Sequence, residues 1–168
     1  GEGRPSPPGR ALDIGCGGGQ YTPELARRGW DAVGLDYVPA AVAAARRGAP
    51  PGVRYVVGDA TRLEAAGLGT FDLFLDVGCL QGLDEAGRRA EGRGVTALAN
   101  PGATLLVLAF GATWFRRLVE GVSQEEVRAA LTGWELISVE PAETAGLGWP
   151  MNRTSPMWYR FRLPAGRK

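Results

Sequence analysis

The chain contains no histidine among its 168 residues. Without an imidazole it cannot form a Ser-His-Asp or Cys-His catalytic arrangement, and it cannot build a histidine-based metal site. Its two cysteines, Cys16 and Cys79, are too few for a disulfide scaffold or a cysteine zinc site. We therefore expect no metal, and any general base has to be an Asp, a Glu, a Tyr or a thiolate.

The sequence also lacks a strong charge of either sign and a long hydrophobic run. Its formal net charge is +1, so no strong field attracts it to nucleic acid or to an anionic membrane. No stretch is long and apolar enough to cross a bilayer, and the first ten residues lack the apolar core of a signal peptide. We expect a cytoplasmic protein. A single lysine, Lys168, among many arginines, alanines and glycines indicates a bacterial source.

The chain has the length of one domain, so we expect a single domain over residues 1–168, with residues 1–9 as a flexible or truncated N-terminus. Stretches typical of strands and helices alternate along it. This alternation predicts an α/β fold with a doubly wound, mostly parallel sheet and helices on both faces. The predicted strands are residues 10–15, 31–36, 53–57, 71–76, 103–110, 134–140 and 157–163.

Local signals also predict the helix ends. Pro39 is placed to start one helix, which Gly48 ends, and Ser123 begins a capping-box pattern with Glu126. The segment 83–99 is predicted as a helix weakened by three glycines: Gly87, Gly92 and Gly94. The next three residues, Asn100-Pro101-Gly102, are typical of a turn before the fifth strand.

The most informative segment is residues 11–19, Ala-Leu-Asp-Ile-Gly-Cys-Gly-Gly-Gly. A short apolar strand carrying an acid runs directly into a glycine-rich turn. Such a turn between a strand and a helix is how α/β folds hold nucleotide-like ligands. The dinucleotide pattern G-x-G-x-x-G is not met, because Gln20 stands where its third glycine belongs.

The spacing Asp13-x-Gly15-x-Gly17-x-Gly19 instead resembles motif I of the class I S-adenosylmethionine-dependent methyltransferases. Four later segments strengthen the resemblance: an acid ending the second strand at Asp36, another ending the third at Asp59, residues 71–79 as motif IV, and residues 98–103 as the turn before strand five. Departures from the family pattern are Asn100 for Lys and Ala103 for Gly. The resemblance covers residues 10–110.

The resemblance implies a Rossmann-like sheet of seven strands in the order 3-2-1-4-5-7-6, with the last strand antiparallel. It implies S-adenosylmethionine as cofactor and S-adenosylhomocysteine as product. Asp36 would accept hydrogen bonds from the ribose hydroxyls, and Asp59 would receive the adenine amino group. The implied cofactor-binding residues are Asp13, Gly15, Cys16, Gly17, Gly19, Tyr21, Asp36, Tyr37, Asp59, Ala60, Asp76, Val77 and Gly78.

Several of these residues also have plainer explanations. Asp36 and Asp59 are placed where helix-capping acids occur, and Asp13 is expected to organise the loop amides from inside the strand. Asp76, the one weak catalytic candidate, would bind the cofactor's ammonium group, act as a base or cap the next helix. Both cysteines are explained as small residues in tight space, and Tyr37 either stacks on adenine or lies on the surface.

The function that follows is in-line methyl transfer to a small-molecule acceptor. Methylation of nucleic-acid bases is disfavoured. Motif IV has no Asn-Pro-Pro-Tyr type signature, which argues against methylation of amino groups on these bases, and no Pro-Cys pair, which argues against methylation at C5 of pyrimidines. Candidate bases near the site are Asp76, Asp84, Glu85 and Tyr21. Apolar residues that would line an acceptor pocket are Trp114, Phe115, Trp149, Met151 and Met157. Arg116 and Arg117 would meet an anionic acceptor or lie in solvent.

Few residues precede the first strand. Either this is a truncated core, or segments 111–122 and 143–157 cover the acceptor, or a partner subunit does. The oligomeric state is left open. Three alternatives also remain open: a non-catalytic cofactor-binding module, a nicotinamide-dependent oxidoreductase, and a methyltransferase of protein or RNA. The near-neutral charge argues against RNA, although Arg160, Arg162, Arg167 and Lys168 lie near the C-terminus.

Overall fold

The structure, a computed structural model, describes residues 9–110, 122–143 and 155–166. Its seven strands form one sheet in the order β3-β2-β1-β4-β5-β7-β6. Strands β1 to β5 are parallel, whereas β7 runs antiparallel to both β5 and β6. This confirms the predicted strand order and the antiparallel last strand. The strands are β1 (Arg10–Ile14), β2 (Asp31–Asp36), β3 (Val53–Val57), β4 (Phe71–Val77), β5 (Ala99–Phe110), β6 (Glu135–Pro141) and β7 (Pro156–Arg162).

Helices cover both faces of the sheet because successive side chains on a strand point to opposite sides. On one face, Ala11 and Ala32 pack with Leu25 of the first helix. On the other, Leu12 and Val33 share a larger core with the later helices. The α-helices are α1 (Thr22–Arg27), α2 (Pro39–Arg47), α3 (Glu85–Leu98) and α4 (Gln124–Ala130), and two short 3₁₀ helices span Ala60–Ala66 and Leu80–Gly82.

The local helix signals act as predicted. Pro39 is the first residue of α2 and Gly48 is its C-cap. The Ser123 side chain accepts from the amide of Glu126, whose carboxylate accepts from the Ser123 amide, so the capping box is formed. Asp84 caps α3 by accepting from the Gly87 amide at 2.7 Å.

The predicted turn at Asn100-Pro101-Gly102 lies inside β5 rather than before it. Phe71 is paired with Ala99 and Leu73 with Thr104, so the extra residues form an irregularity in the ladder. Asn100 Nδ2 donates to Asp72 Oδ1 at 3.1 Å, and Asp72 Oδ2 also accepts from the Arg10 amide. Asp72 therefore holds three strands together where they start, and Gly102 and Ala103 exchange backbone hydrogen bonds with Leu163.

Candidate functional site: a cleft at the carboxyl ends of strands β1 to β4

A cleft of about 560 Å³ opens where the parallel strands end. Parallel α/β sheets bind ligands at this edge, near the point where the strand order reverses between β1 and β4. Predicted site residues that line the cleft are Gly15, Asp36, Tyr37, Asp59, Ala60, Val77 and Gly78. Further lining residues are Leu35, Gly58, Thr61, Cys79, Gly82 and Leu83, of which Cys79 belongs to the predicted motif IV segment.

The glycine loop is fixed against the strand ends by backbone hydrogen bonds. The amides of Gly15 and Cys16 both donate to the Leu35 carbonyl, at 2.7 and 2.9 Å. Gly15 has a φ of +74°, and a Cβ there would lie 2.9 Å from Cys79 Cβ. Only glycine accommodates both the positive φ and this close approach of the β4 turn. The predicted strand-to-helix glycine turn is therefore formed.

Asp36 joins the end of β2 to this loop. Its Oδ2 accepts from the Gly17 amide at 2.9 Å, and its Oδ1 accepts from the Val38 amide at 2.9 Å. The second bond is the capping contact that the plainer explanation anticipated. A carboxylate oxygen can accept more than one hydrogen bond, so both oxygens retain the capacity to bind a ligand hydroxyl.

Asp59 follows β3 on the far wall of the cleft. Its Oδ1 accepts from both the amide and the hydroxyl of Thr61, at 2.8 and 2.7 Å, and so caps the 3₁₀ helix Ala60–Ala66. These hydrogen bonds lower the pKa of the Asp59 carboxyl, with the Thr61 hydroxyl bond the largest cause. The capping role is present, and Oδ2 makes no hydrogen bond within the residues that the structure describes. That oxygen is open to a ligand donor.

Asp13 has a different partner from the one we expected. It is 1% exposed, and its Oδ2 accepts from the Thr22 hydroxyl at 2.7 Å. Burial raises its pKa to about 6, the Thr22 bond opposes the rise, and the charges of Asp76 and Asp36 add to it. The loop amide that we assigned to Asp13 is bound by Asp36 instead, because Asp13 faces α1 from inside the strand. Asp13 anchors α1 and is absent from the cleft lining.

Asp76 is also placed away from the cleft. It is 1% exposed, and its Oδ1 accepts from the amides of Cys79 at 3.1 Å and Leu80 at 3.0 Å. Of the three roles left open for it, the structure shows capping of the turn after β4. Its side chain points to the α3 face, since it shares the strand parity of the core residue Phe74. Asp76 is therefore absent from the cleft lining, and its contact with the cofactor stays a prediction.

Sequence reasoning missed Glu91, which lies beside Asp76 and is 3% exposed. A carboxyl oxygen of each acid and the Cys79 sulfur lie within 4.8 Å of one another. A signal for Glu91 was present, since it falls on the same helical face as the buried Val95 four residues later. An acid on the apolar face of a predicted helix needs a partner.

Other predicted residues frame the cleft without lining it. Cys16 is 5% exposed and packs against Val42, Ala45 and Tyr55, and burial raises the pKa of its thiol to about 12. A Cβ placed on Gly17 would have no other heavy atom within 4 Å, whereas a Cβ on Gly19 would contact the Tyr55 hydroxyl. Tyr21 packs beside the Leu25 core, whereas Tyr37, which does line the cleft, is 74% exposed. The cysteine therefore fills tight space, as its plainer explanation held.

The remaining base candidates have other partners. Asp84 caps α3, and Glu85 forms an ion pair with Arg89 at 3.0 Å. Among the proposed acceptor-pocket residues, Met157 packs against the main core. The others, Trp114, Phe115, Trp149 and Met151, lie outside the described residues, as do Arg116, Arg117 and most of both proposed covering segments. None of the described helices is long and apolar enough to cross a membrane.

Comparison with known proteins identifies the family. A family model for the methyltransferase domain matches residues 11–102. A curated relative, 2-heptyl-1-hydroxyquinolin-4(1H)-one methyltransferase of Mycobacteroides abscessus, is 31% identical over 143 residues. That match covers 80% of this chain and 62% of the relative, so the chain spans less than two thirds of the relative's length.

Solved structures show the same fold. An S-adenosylmethionine-dependent methyltransferase from Methanosarcina mazei superposes with a TM-score of 0.78 at 19% identity, covering 94% of this chain and 93% of that chain. The N-methyltransferase NodS from Bradyrhizobium japonicum, in complex with S-adenosylhomocysteine, gives 0.77 at 21% identity, covering 94% and 79%. From the family match and the strand order together, the chain belongs to the S-adenosylmethionine-dependent methyltransferases of the class I, Rossmann-like fold.

Proposed function

We propose that this domain binds S-adenosylmethionine in the cleft and transfers its methyl group to a small-molecule acceptor. The observation that carries the proposal is the position of Asp36. It lines the cleft while its carboxylate holds the glycine loop through the Gly17 amide. One group therefore shapes the loop and offers both oxygens to a ribose diol.

Each part of the cofactor has a counterpart in the cleft. Asp36 would bind the ribose, and Asp59 Oδ2 would accept from the adenine amino group. Ala60 and Thr61, which line the cleft, would flank the purine, and the lining turn at Val77, Gly78 and Cys79 would lie beside the methionine end. A volume of about 560 Å³ is in the range of ligand sites. A ligand seated this way spans the ends of β1 to β4.

The cofactor supplies a positively charged methyl donor with a good leaving group. An acceptor's lone pair would take that methyl group, and the sulfur would keep the electron pair of the broken sulfur–carbon bond. The residues of this chain hold the reacting atoms about 3 to 3.5 Å apart and exclude water. Positioning therefore accounts for most of the catalysis expected here.

The acceptor's proton limits the choice of acceptor. Asp36 and Asp59 are used by the cofactor, and Asp76 is buried behind the wall. Burial is the largest cause raising the pKa of the Cys79 thiol, and the charges of Asp76 and Glu91 raise it further. The thiol therefore stays protonated at neutral pH and cannot accept the acceptor's proton. We propose an acceptor that loses its proton readily. An N-hydroxyl, as in the compound that names the relative from Mycobacteroides abscessus, fits this requirement.

The test is calorimetric titration of the purified protein with S-adenosylmethionine, S-adenosylhomocysteine and NAD in turn. We expect saturable binding of the first two and none of NAD. A methylation assay over N-hydroxy and phenolic heteroaromatics, monitored by mass spectrometry, then tests transfer. Cofactor binding with no turnover across that panel would favour a non-catalytic binding module. Binding of NAD alone would overturn the cofactor assignment.

A further inference from the structure

Two buried acids lie directly behind the wall of the cleft. Asp76 at the end of β4 and Glu91 on α3 are 1% and 3% exposed. Cys79, which lines the cleft, completes the cluster, and one ligand atom of each residue lies within 4.8 Å of the other two. The cluster therefore connects the wall of the site to the body of α3.

Asp76 holds the wall through one oxygen only. Its Oδ1 accepts from the Cys79 and Leu80 amides, which begin the turn that carries the lining residues Gly82 and Leu83. Its Oδ2 and the Oε1 of Glu91 are buried without a hydrogen-bond donor among the described residues. Two buried carboxyl oxygens can satisfy each other only if a proton lies between them, because ionised carboxylates accept but do not donate.

Within the described residues, no cation is paired with either acid. The ion pairs of the described residues involve neither acid, and one of them joins Arg88 of α3 to Glu126 of α4 at 3.0 Å. The charges that act on the cluster from β1 and β2 are those of Asp13 and Asp36, both negative. Two neighbouring buried carboxyl groups cannot both ionise without a large cost in free energy.

The electrostatics agree with this geometry. Burial is the largest cause raising the pKa of Glu91 well above its usual value, and the neighbouring Asp76 charge and their hydrogen bond add to the rise. Burial also raises the pKa of Asp76, opposed by its bonds to Glu91 and the two amides. The closeness of the Cys79 thiol to Glu91 lowers the Glu91 pKa and raises that of the thiol.

We propose that Asp76 and Glu91 share one proton, and that Glu91 is a positioning residue which, through Asp76, fixes the turn over Cys79–Leu83 for cofactor binding. This inference rests on the proposed function for its consequence, although the shared proton itself does not. The proton is retained at neutral pH. Its loss at alkaline pH leaves two facing charges behind the wall and releases the turn.

The first test compares Glu91→Gln with Glu91→Leu. A glutamine donates permanently to Asp76 and still accepts from Cys79, whereas a leucine leaves Asp76 Oδ2 without a donor. In wild type, we expect affinity for S-adenosylhomocysteine to fall about tenfold per pH unit once the shared proton is lost. The glutamine variant should keep a flat alkaline profile, and the leucine variant should bind weakly at every pH. Equal alkaline slopes in wild type and Glu91→Gln would overturn the proposal.

The second test needs no ligand, so it separates this inference from the proposed function. Infrared spectra of the free protein at neutral pH should show a protonated carboxyl C=O band that disappears in Glu91→Gln. If S-adenosylmethionine and S-adenosylhomocysteine both fail to bind but the carboxyl band is present, the proposed function fails and the shared proton stands. Absence of the band in wild type would overturn the inference even if both ligands bind.

A third measurement addresses a bound cation in place of the proton. Elemental analysis of the purified protein should find no stoichiometric metal, and zinc ions alone should not shift its melting temperature at neutral pH. Retained stoichiometric metal would overturn the shared proton. Should Glu91→Gln fail to fold, Asp76→Asn offers the amide donor from the opposite side, and the loss of the carboxyl band is read in that variant.

Discussion

Asp36 Oδ2 and the Gly17 amide are joined by a hydrogen bond of 2.9 Å that ties the end of β2 to the loop after β1. The same carboxylate binds the Val38 amide at the start of α2. Three elements therefore converge on one side chain at the cleft. The local shape of the loop and its capacity for a ribose depend on the same residue, which makes the site testable by single substitutions.

Replacing Asp36 should weaken the binding of S-adenosylhomocysteine. Asp36→Ala removes a charged acceptor from the loop and from the ligand, and hydrogen bonds to charged groups contribute about 1.5 to 3 kcal/mol. We expect an affinity loss of about tenfold to a hundredfold by calorimetry. Asp31→Ala, at the opposite end of the same strand and half-exposed in its ion pair with Arg10, is the matched control. Similar affinity in both variants would contradict the assignment of Asp36.

Adjacent glycines of the loop should respond differently to alanine. Gly19 has a φ of +87°, and a Cβ there would lie 2.5 Å from the Tyr55 hydroxyl. Gly18 has an ordinary φ and open space. We expect Gly19→Ala to lower the free energy of unfolding by about 1 to 3 kcal/mol, measured with urea in the absence of ligand. Gly18→Ala should leave it nearly unchanged, and equal losses would mean that the loop is not built this way.

Asp13 should make the stability depend on pH. Its folded pKa of about 6 lies above the ordinary value of 3.8, so folding favours the protonated form. The contribution of Asp13 to the free energy of unfolding is therefore fully present below about pH 4, and it declines as the pH rises through 6. Asp13→Asn cannot ionise, so its unfolding free energy relative to wild type should rise across that window by at most about 3 kcal/mol. Urea titrations at several pH values measure this, and parallel profiles would refute it.

Gly92 should resist substitution because α3 and α4 touch there. A Cβ on Gly92 would overlap the backbone carbonyl oxygen of Ala130, so the helices would have to separate. We expect Gly92→Ala to destabilise the protein by about 1 to 3 kcal/mol, despite the better helix propensity of alanine. Gly48→Ala is the control, since that C-cap has a φ of −107° and open space around it. A stabilised Gly92→Ala would show that the helices do not meet at this point.

The family could be predicted from the chain because its signals are local, and the resemblance to that family implied the strand order. Glycines after β1 and acids at the ends of β2 and β3 are read directly along the sequence, and the apolar segments between them set the strands. The capping box at Ser123 and the start of α2 at Pro39 were equally local. Their partners lie within four residues, so no knowledge of the fold was needed.

What the sequence by itself determined was the α/β architecture, the glycine turn and the acids at the strand ends, since short-range backbone preferences specify each of them. Only the tertiary structure decided that Asp13 binds Thr22, that Asp76 faces Glu91, and that Gly92 lies against Ala130. Those relationships join residues from 9 to 38 positions apart, and they exist only once strands and helices have packed. Side-chain direction on a buried strand selects the partner, and no local pattern encodes what lies opposite.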